Sequence, residues 1–203
     1  MIRVSERDNI KMADPLGKAI RSIAKHPGSL LAKTGITPNQ LTLFGFLFNC
    51  CVAYFIAVGR FGLIPTGILI WVAGFFDALD GSVARITGKA TVFGDFLDSV
   101  IDRYSDSVVY FGIMAHFLRS GRTEYVILTA VAIIGSLTVS YSRAKAESLG
   151  QKCEAGLLPR TVRIIILGGC FCVDQVFWGL LIIAVLSHLT VLQRIFHVYN
   201  KLQ

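Results

Sequence analysis

Long uncharged stretches alternate with short charged ones along this chain. Leu41 to Gly59 runs 19 residues without a charge, and at 1.5 Å per helical residue it reaches roughly 28 Å, close to the thickness of a bilayer's hydrocarbon core. Phe61 to Phe76 is a second run of 16 that leads into Asp77, so a helix continuing from it carries an aspartate segment near its exit. A third helix is predicted from near Val92 to near Leu118, because Ser120-Gly121 between Arg119 and Arg122 reads as a short turn. Tyr125 to Ser142 makes a fourth span of 18 residues, Ile164 to Val173 a shorter fifth helix extended through Arg160 and Arg163, and Gln175 to Gln193 a sixth. Ahead of these, Pro15 to Lys33 sets Leu16, Ile20, Ile23 and Ala24 at helical spacing, with Lys18, Arg21 and Lys25 elsewhere on the surface; that pattern suits a helix lying in the membrane interface. The expected fold is an all-α integral membrane protein, six transmembrane helices (residues 40–203) preceded by a cytosolic or interfacial amphipathic helix (residues 1–39).

Composition agrees. Hydrophobic residues make up 54% and charged residues 16%, where ordinary soluble domains carry about 25% charge. The 14 Phe exclude disorder, and 5 Pro without a repeat exclude collagen-like classes. Cys50, Cys51, Cys153, Cys170 and Cys172 match neither a zinc spacing nor a disulfide framework and read as structural thiols. Met1 to Thr37 is charged and interrupted by Pro15 and Pro27, so no cleavable signal is expected there and the first apolar run should stay as an anchor.

The charge balance, 20 Lys and Arg against 13 Asp and Glu, becomes informative once positions are assigned. Six spans put both termini on one side. Arg60, Arg119 and Arg122 then fall on the opposite side and Arg103 within a span, which leaves 16 of the 20 basic residues on the side of the termini. By the positive-inside rule that side is cytoplasmic. A multi-pass protein of the cell membrane, in contact with anionic lipid and not with nucleic acid, is expected.

Six of the acidic residues, Asp77, Asp80, Asp95, Asp98, Asp102 and Asp106, lie between positions 77 and 106. Carboxylates are costly at membrane depth and normally face a polar, functional cavity. Asp77 and Asp80 are three apart, and Asp98, Asp102 and Asp106 form a stripe four apart, so two acidic helix faces can converge. Their mutual repulsion needs neutralising, and all-oxygen ligation selects Mg²⁺ or Mn²⁺, as one ion or two. Gly81 and Ala84 allow close approach of a ligand, and Arg85 offers a guanidinium for phosphate. The competing structural explanation pairs the aspartates with Arg85, Lys89 and Arg103, but three cations cannot neutralise six carboxylates.

The run Asp77-x-x-Asp80-Gly81-x-x-Ala84-Arg85, eight residues, then Gly94-x-x-x-Asp98-x-x-x-Asp102 resembles the signature of the CDP-alcohol phosphotransferase family. Asp102-Arg103-Tyr104-Ser105-Asp106 and the stretch from Ser140 to Gly150 look like the prokaryotic phosphatidylinositol-phosphate and archaetidylinositol-phosphate synthases within it. The resemblance implies a homodimeric six-helix enzyme that transfers a phosphatidyl group from a CDP-linked lipid to an alcohol and releases CMP, here with a phosphorylated acceptor such as inositol phosphate. It also implies roles: Asp77, Asp80, Asp98 and Asp102 as ligands of two ions, and Asp102 as general base. Asn39, Thr42, Asp80, Gly81, Ala84 and Arg85 would bind the nucleotide. Ser140, Arg143, Arg160, Arg163 and Arg194, with Lys145 nearby, would hold the acceptor's phosphate; a lipid-headgroup anchor is the plainer explanation of these cations. Asp95 and Asp106 are expected around the ligand shell or in the cavity wall. Rival readings are a phosphatidylglycerophosphate synthase using glycerol 3-phosphate, a membrane prenyltransferase, which usually has more helices, and a divalent-cation transporter, which has no reason to keep Gly81, Ala84 and Arg85 at this spacing.

Overall fold

The computed structural model describes residues 15–60, 62–151, 153 and 156–202; the first fourteen residues of the predicted N-terminal segment, Phe61 and Lys152 lie outside them. The described residues form seven helices and no strand: α1 Pro15–Lys33, α2 Pro38–Val58, α3 Leu63–Thr87, α4 Val92–Arg119, α5 Thr123–Ser148, α6 Arg160–Cys172 and α7 Val176–Leu202. A helix stands at each of the seven predicted positions. The last runs further than predicted, because the polar turn after Gln193 keeps helical pattern and turns Arg194 inward, where it is buried.

By length and apolarity, α2, α3, α5 and α7 are candidate membrane spans. Helix α4 has the length, 28 residues, but carries Asp95, Asp98, Asp102, Arg103 and Asp106. Helix α6 has 13 residues, roughly 20 Å of rise.

Contacts between helices close a ring in the order α3, α2, α4, α5, α7, α6 and back to α3, with α1 outside against α3. Apolar side chains from all six ring helices fill it, among them Val52, Ile70, Ile113, Ala132, Leu167 and Ile183. Large apolar side chains also cover the outside, including Phe44, Ile64, Phe111, Ile134, Trp178 and Leu192. Several buried polar residues bond within their own helices: Asn49 Nδ2 donates to Gly45 O, Thr129 Oγ1 to Tyr125 O and Thr190 Oγ1 to Leu186 O. An apolar exterior around a partly polar interior is the arrangement expected in lipid, where the solvent offers no hydrogen bonds.

Small residues set the tightest crossings. A methyl group on Gly112 of α4 would collide with the Ala53 backbone of α2, and one on Gly67 of α3 would meet the Gly168 carbonyl of α6. Beside the second crossing, Trp71 Nε1 donates to Ile165 O at 3.2 Å.

The candidate active site

Local sequence brings the two aspartate helices together at one end of the ring, on either side of α2. Gly88, at φ 65°, ends α3 in the left-handed region that glycine enters without penalty. Three residues later Thr91 caps α4, its Oγ1 accepting from Gly94 N at 2.9 Å. The start of α2 is held by a capping box: Gln40 N donates to Thr37 Oγ1 at 3.3 Å, Thr37 N donates to Gln40 Oε1 at 2.9 Å, and Pro38 occupies the first turn. The absence of a side chain at Gly94 lets α4 begin against Asn39, whose Oδ1 would lie 3.1 Å from a methyl group there. The chain alternates direction through short turns, so the carboxylates of α3 and α4 share one end of the ring with the start of α6.

Three predicted ligands converge. Asp77, Asp98 and Asp102 each place a carboxylate oxygen within 4.8 Å of the others. A cluster of hard oxygen donors from two helices fits a divalent cation of the Mg²⁺ or Mn²⁺ type. Asp80, the fourth predicted ligand, is buried just beyond: Thr42 Oγ1 donates to its Oδ2 at 2.7 Å and Gly81 N to its Oδ1 at 2.5 Å. Of the other predicted nucleotide residues, Arg85 Nη2 donates to Ser82 Oγ at 3.4 Å and lies 3.4 Å or more from where a Gly81 side chain would begin.

Arg160 enters this cluster from the first turn of α6. Its Nη1 lies 2.5 Å from Asp77 Oδ2 and 2.9 Å from Asp102 Oδ1, while its Nε donates to Asp106 Oδ1 at 2.9 Å. The other Asp106 oxygen accepts from Arg163 Nη2 at 3.1 Å, and Arg163 Nη1 reaches Leu158 O at 3.3 Å. Arg163 is buried. Two small cavities meet here. The first is bordered by Thr42, Asn49, Asp77, Asp80, Asp102 and Arg160, the second by Asp106, Tyr110, Arg160 and Arg163, and Asn49 and Ser105 line both.

The remaining predicted acceptor residues follow the same end of the bundle. Arg194 of α7 donates to Val139 O, next to Ser140 of α5, and lies within electrostatic reach of Arg143 and Arg163. Ser140 Oγ donates to Ser136 O at 3.4 Å, and Arg143 pairs with Glu147 one turn on, at 2.8 Å. The structure therefore splits the predicted basic group: Arg160 belongs with the carboxylates, while Arg143 is at the half-exposed rim.

Asp106, expected around the ligand shell or in the cavity wall, borders the second cavity; its contacts with two arginines depend on α6, 54 and 57 residues away. Asn49 and Ser105 were missed. Asn49 falls seven residues after Thr42, on the same helix face, which is the signal that could have found it.

Residues 35–192 match the model of the CDP-alcohol phosphatidyltransferase family. The archaetidylinositol phosphate synthase of Pyrococcus horikoshii is 42% identical over 189 residues, covering 91% of this chain and 97% of that protein. A phosphatidylinositol phosphate synthase of Mycobacteroides abscessus is 34% identical over 181 residues, covering 82% and 79%. Among solved structures, the Mycobacterium tuberculosis phosphatidylinositol phosphate synthase with CDP-DAG bound superimposes with TM-score 0.79 at 28% identity, over 88% of this chain and 94% of that one. Its complex with manganese and citrate gives the same score at 29% identity, over 87% and 88%. Family model, relatives and the aspartate cluster agree that this chain is a membrane enzyme of the CDP-alcohol phosphatidyltransferase family.

Proposed function

We propose that the enzyme transfers a phosphatidyl-type group from a CDP-linked lipid to a hydroxyl of inositol phosphate, releasing CMP. The observation that carries this reading is the direct contact of the carboxylate cluster with buried arginines: Arg160 touches Asp77, Asp102 and Asp106, and Arg163 shares Asp106. One compartment can thus hold a diphosphate on metal and, beside it, a second phosphate. Support comes from the relatives, which are archaetidylinositol phosphate and phosphatidylinositol phosphate synthases, and from the CDP-DAG and manganese bound by the structural neighbour.

In this reading Asp77, Asp98 and Asp102, with Asp80, hold one or two Mg²⁺ or Mn²⁺ ions, which when bound withdraw charge from the diphosphate and stabilise the departing CMP. Asn39, Thr42, Gly81, Ala84 and Arg85 receive the nucleotide, the small side chains at 81 and 84 letting it approach α3 closely. Thr42 orients the Asp80 carboxylate through its hydrogen bond. Ser140, Arg143, Arg160, Arg163 and Arg194 attract the acceptor's phosphate and so place its hydroxyl toward Asp102. Asp102 takes the hydroxyl proton as general base. The acceptor oxygen bonds to the lipid-bearing phosphorus while the bridging P–O bond to CMP breaks.

The same reading includes the membrane topology. Six spans arise if α4, its aspartates turned to the ring interior, and the short α6 complete the four apolar helices; both termini and the site then face the cytoplasm. Helix α1 buries Ala24 against α3 and exposes Leu16, Ile23 and Leu30, which suits a position in the lipid interface. A homodimer is part of the proposal.

The test is product identity. Purified enzyme given CDP-diacylglycerol or its diether analogue, Mg²⁺ or Mn²⁺, and each of inositol phosphate, glycerol 3-phosphate, inositol and serine should form a lipid of inositol-phosphate mass with stoichiometric CMP. Turnover with glycerol 3-phosphate alone would overturn the acceptor assignment, and metal flux into proteoliposomes without CMP would overturn the reaction.

A further inference from the structure

Arg160 is tied at two ends to different things. Its Nε is fixed to Asp106, which Arg163 also holds, whereas its Nη1 reaches forward to Asp77 and Asp102, two of the three carboxylates that fit a divalent cation. An ion bound to these carboxylates at the ~2.0–2.1 Å of Mg²⁺ would stand close to Nη1, which lies 2.5 and 2.9 Å from their oxygens, so that the two cations repel each other. A guanidinium and a metal ion therefore compete for the same pair. Arg160 borders both cavities, with Asn49 and Ser105 common to them.

We propose that Arg160 is a positioning residue that exchanges partners: its Nη groups leave Asp77 and Asp102 when a divalent ion takes those carboxylates, while Asp106 keeps Nε as the pivot. The released guanidinium edge faces the reaction compartment and becomes available to an anionic group of the acceptor. The enzyme is thereby ordered. Metal loading prepares the acceptor site, and an arginine held by carboxylates does not bind phosphate in the wrong sequence. The acceptor half of this inference rests on the function proposed above; the exchange itself rests on the contacts of Arg160 alone.

The exchange can be followed on the wild-type enzyme with phenylglyoxal, which needs free guanidinium Nη groups, by peptide mass spectrometry. Adding Mn²⁺ alone should speed modification of Arg160 about fivefold or more, the lower end of ordinary coupling between sites, while Arg163, buried and held by Asp106 and Leu158 O, stays slow. An unchanged or slower rate at Arg160 would overturn the exchange. Adding inositol phosphate after Mn²⁺ should then protect Arg160; acceleration without protection keeps the exchange and removes the acceptor assignment. As a second measurement, Mn²⁺ titrations followed by electron paramagnetic resonance should show tighter binding in Arg160→Gln by a similar factor, and weaker tightening in Arg160→Lys, which retains the charge. Equal or weaker Mn²⁺ binding by Arg160→Gln would count against competition.

Discussion

Thr42 and Asp80 are joined across the α2–α3 interface by a 2.7 Å hydrogen bond from the threonine hydroxyl to a buried carboxylate. A hydrogen bond to a charged group contributes about 1.5–3 kcal/mol, and its removal leaves the carboxylate with a lost partner in a dry setting. Thr42→Val should accordingly weaken Mn²⁺-dependent CMP binding several-fold, and Thr42→Ser should restore most of it. Isothermal titration with CMP, alongside thermal stability in detergent, checks this; a Thr42→Val enzyme with wild-type CMP affinity would remove Thr42 from the nucleotide region.

Asp102 lies one helical turn beyond Asp98, in contact with both the cluster and Arg160. As a general base it should account for about 10²–10⁴ in rate. Asp102→Asn keeps the volume and is expected to lower CMP release by that factor while the protein stays folded and still binds CDP-lipid. Near wild-type turnover would sink its assignment as base.

Removal of Asp77 takes one donor from the three-carboxylate group. The Asp77→Ala enzyme should lose most of the metal-dependent part of CMP binding, leaving a weak residual affinity that no longer responds to Mg²⁺ or Mn²⁺. A titration with and without EDTA distinguishes the two components.

Arg163 and Arg143 should separate stability from acceptor binding. Arg163 is buried on Asp106, and removing one partner of such a pair commonly costs about 3–5 kcal/mol; Arg163→Gln should unfold well below the wild-type temperature. Arg143 pairs with Glu147 within the same helix at a half-exposed position, where pairs contribute about 0.3–0.5 kcal/mol. Arg143→Gln should keep wild-type stability and raise KM for the phosphorylated acceptor, with little change for CDP-lipid. Thermal melts and two-substrate kinetics read both effects.

Gly112 lies on the Ala53 backbone where α4 crosses α2. Any side chain there forces the helices apart, and overpacking of this kind costs about 1–3 kcal/mol. Gly112→Ala should lower the melting temperature and, by shifting α4, reduce turnover without altering any polar group. Wild-type values of both would show that the crossing accommodates a methyl group.

Much of this enzyme was legible in the chain because the relevant chemistry is local. A run of apolar residues as long as Leu41 to Gly59 declares a helix in lipid whatever its neighbours do, and the residues at 77, 80, 98 and 102 declare two acidic faces because helical periodicity converts spacing into direction. Gly88 and Thr91 mark a helix end and a helix start with no knowledge of the fold. That Asp77 meets Asp98 and Asp102 also depends on α2, which packs against both α3 and α4 and lies between them in the ring.

What the tertiary structure decided depends on helices distant in the chain. Arg160 reads from sequence as one of several residues around the acceptor's phosphate or a lipid headgroup; only the closing of α6 against α3 brings it onto Asp77, Asp102 and Asp106. Asp106 likewise becomes an anchor for two arginines because α6 carries both of them across the ring toward α4, and Arg194 turns inward because α7 continues past its apolar run. The physical reason is common to all three. Spacing within one helix fixes where a side chain can point, but the partner that neutralises a buried charge is chosen by which helices pack, and that choice is made by distant small residues such as Gly67, Gly112 and Gly168.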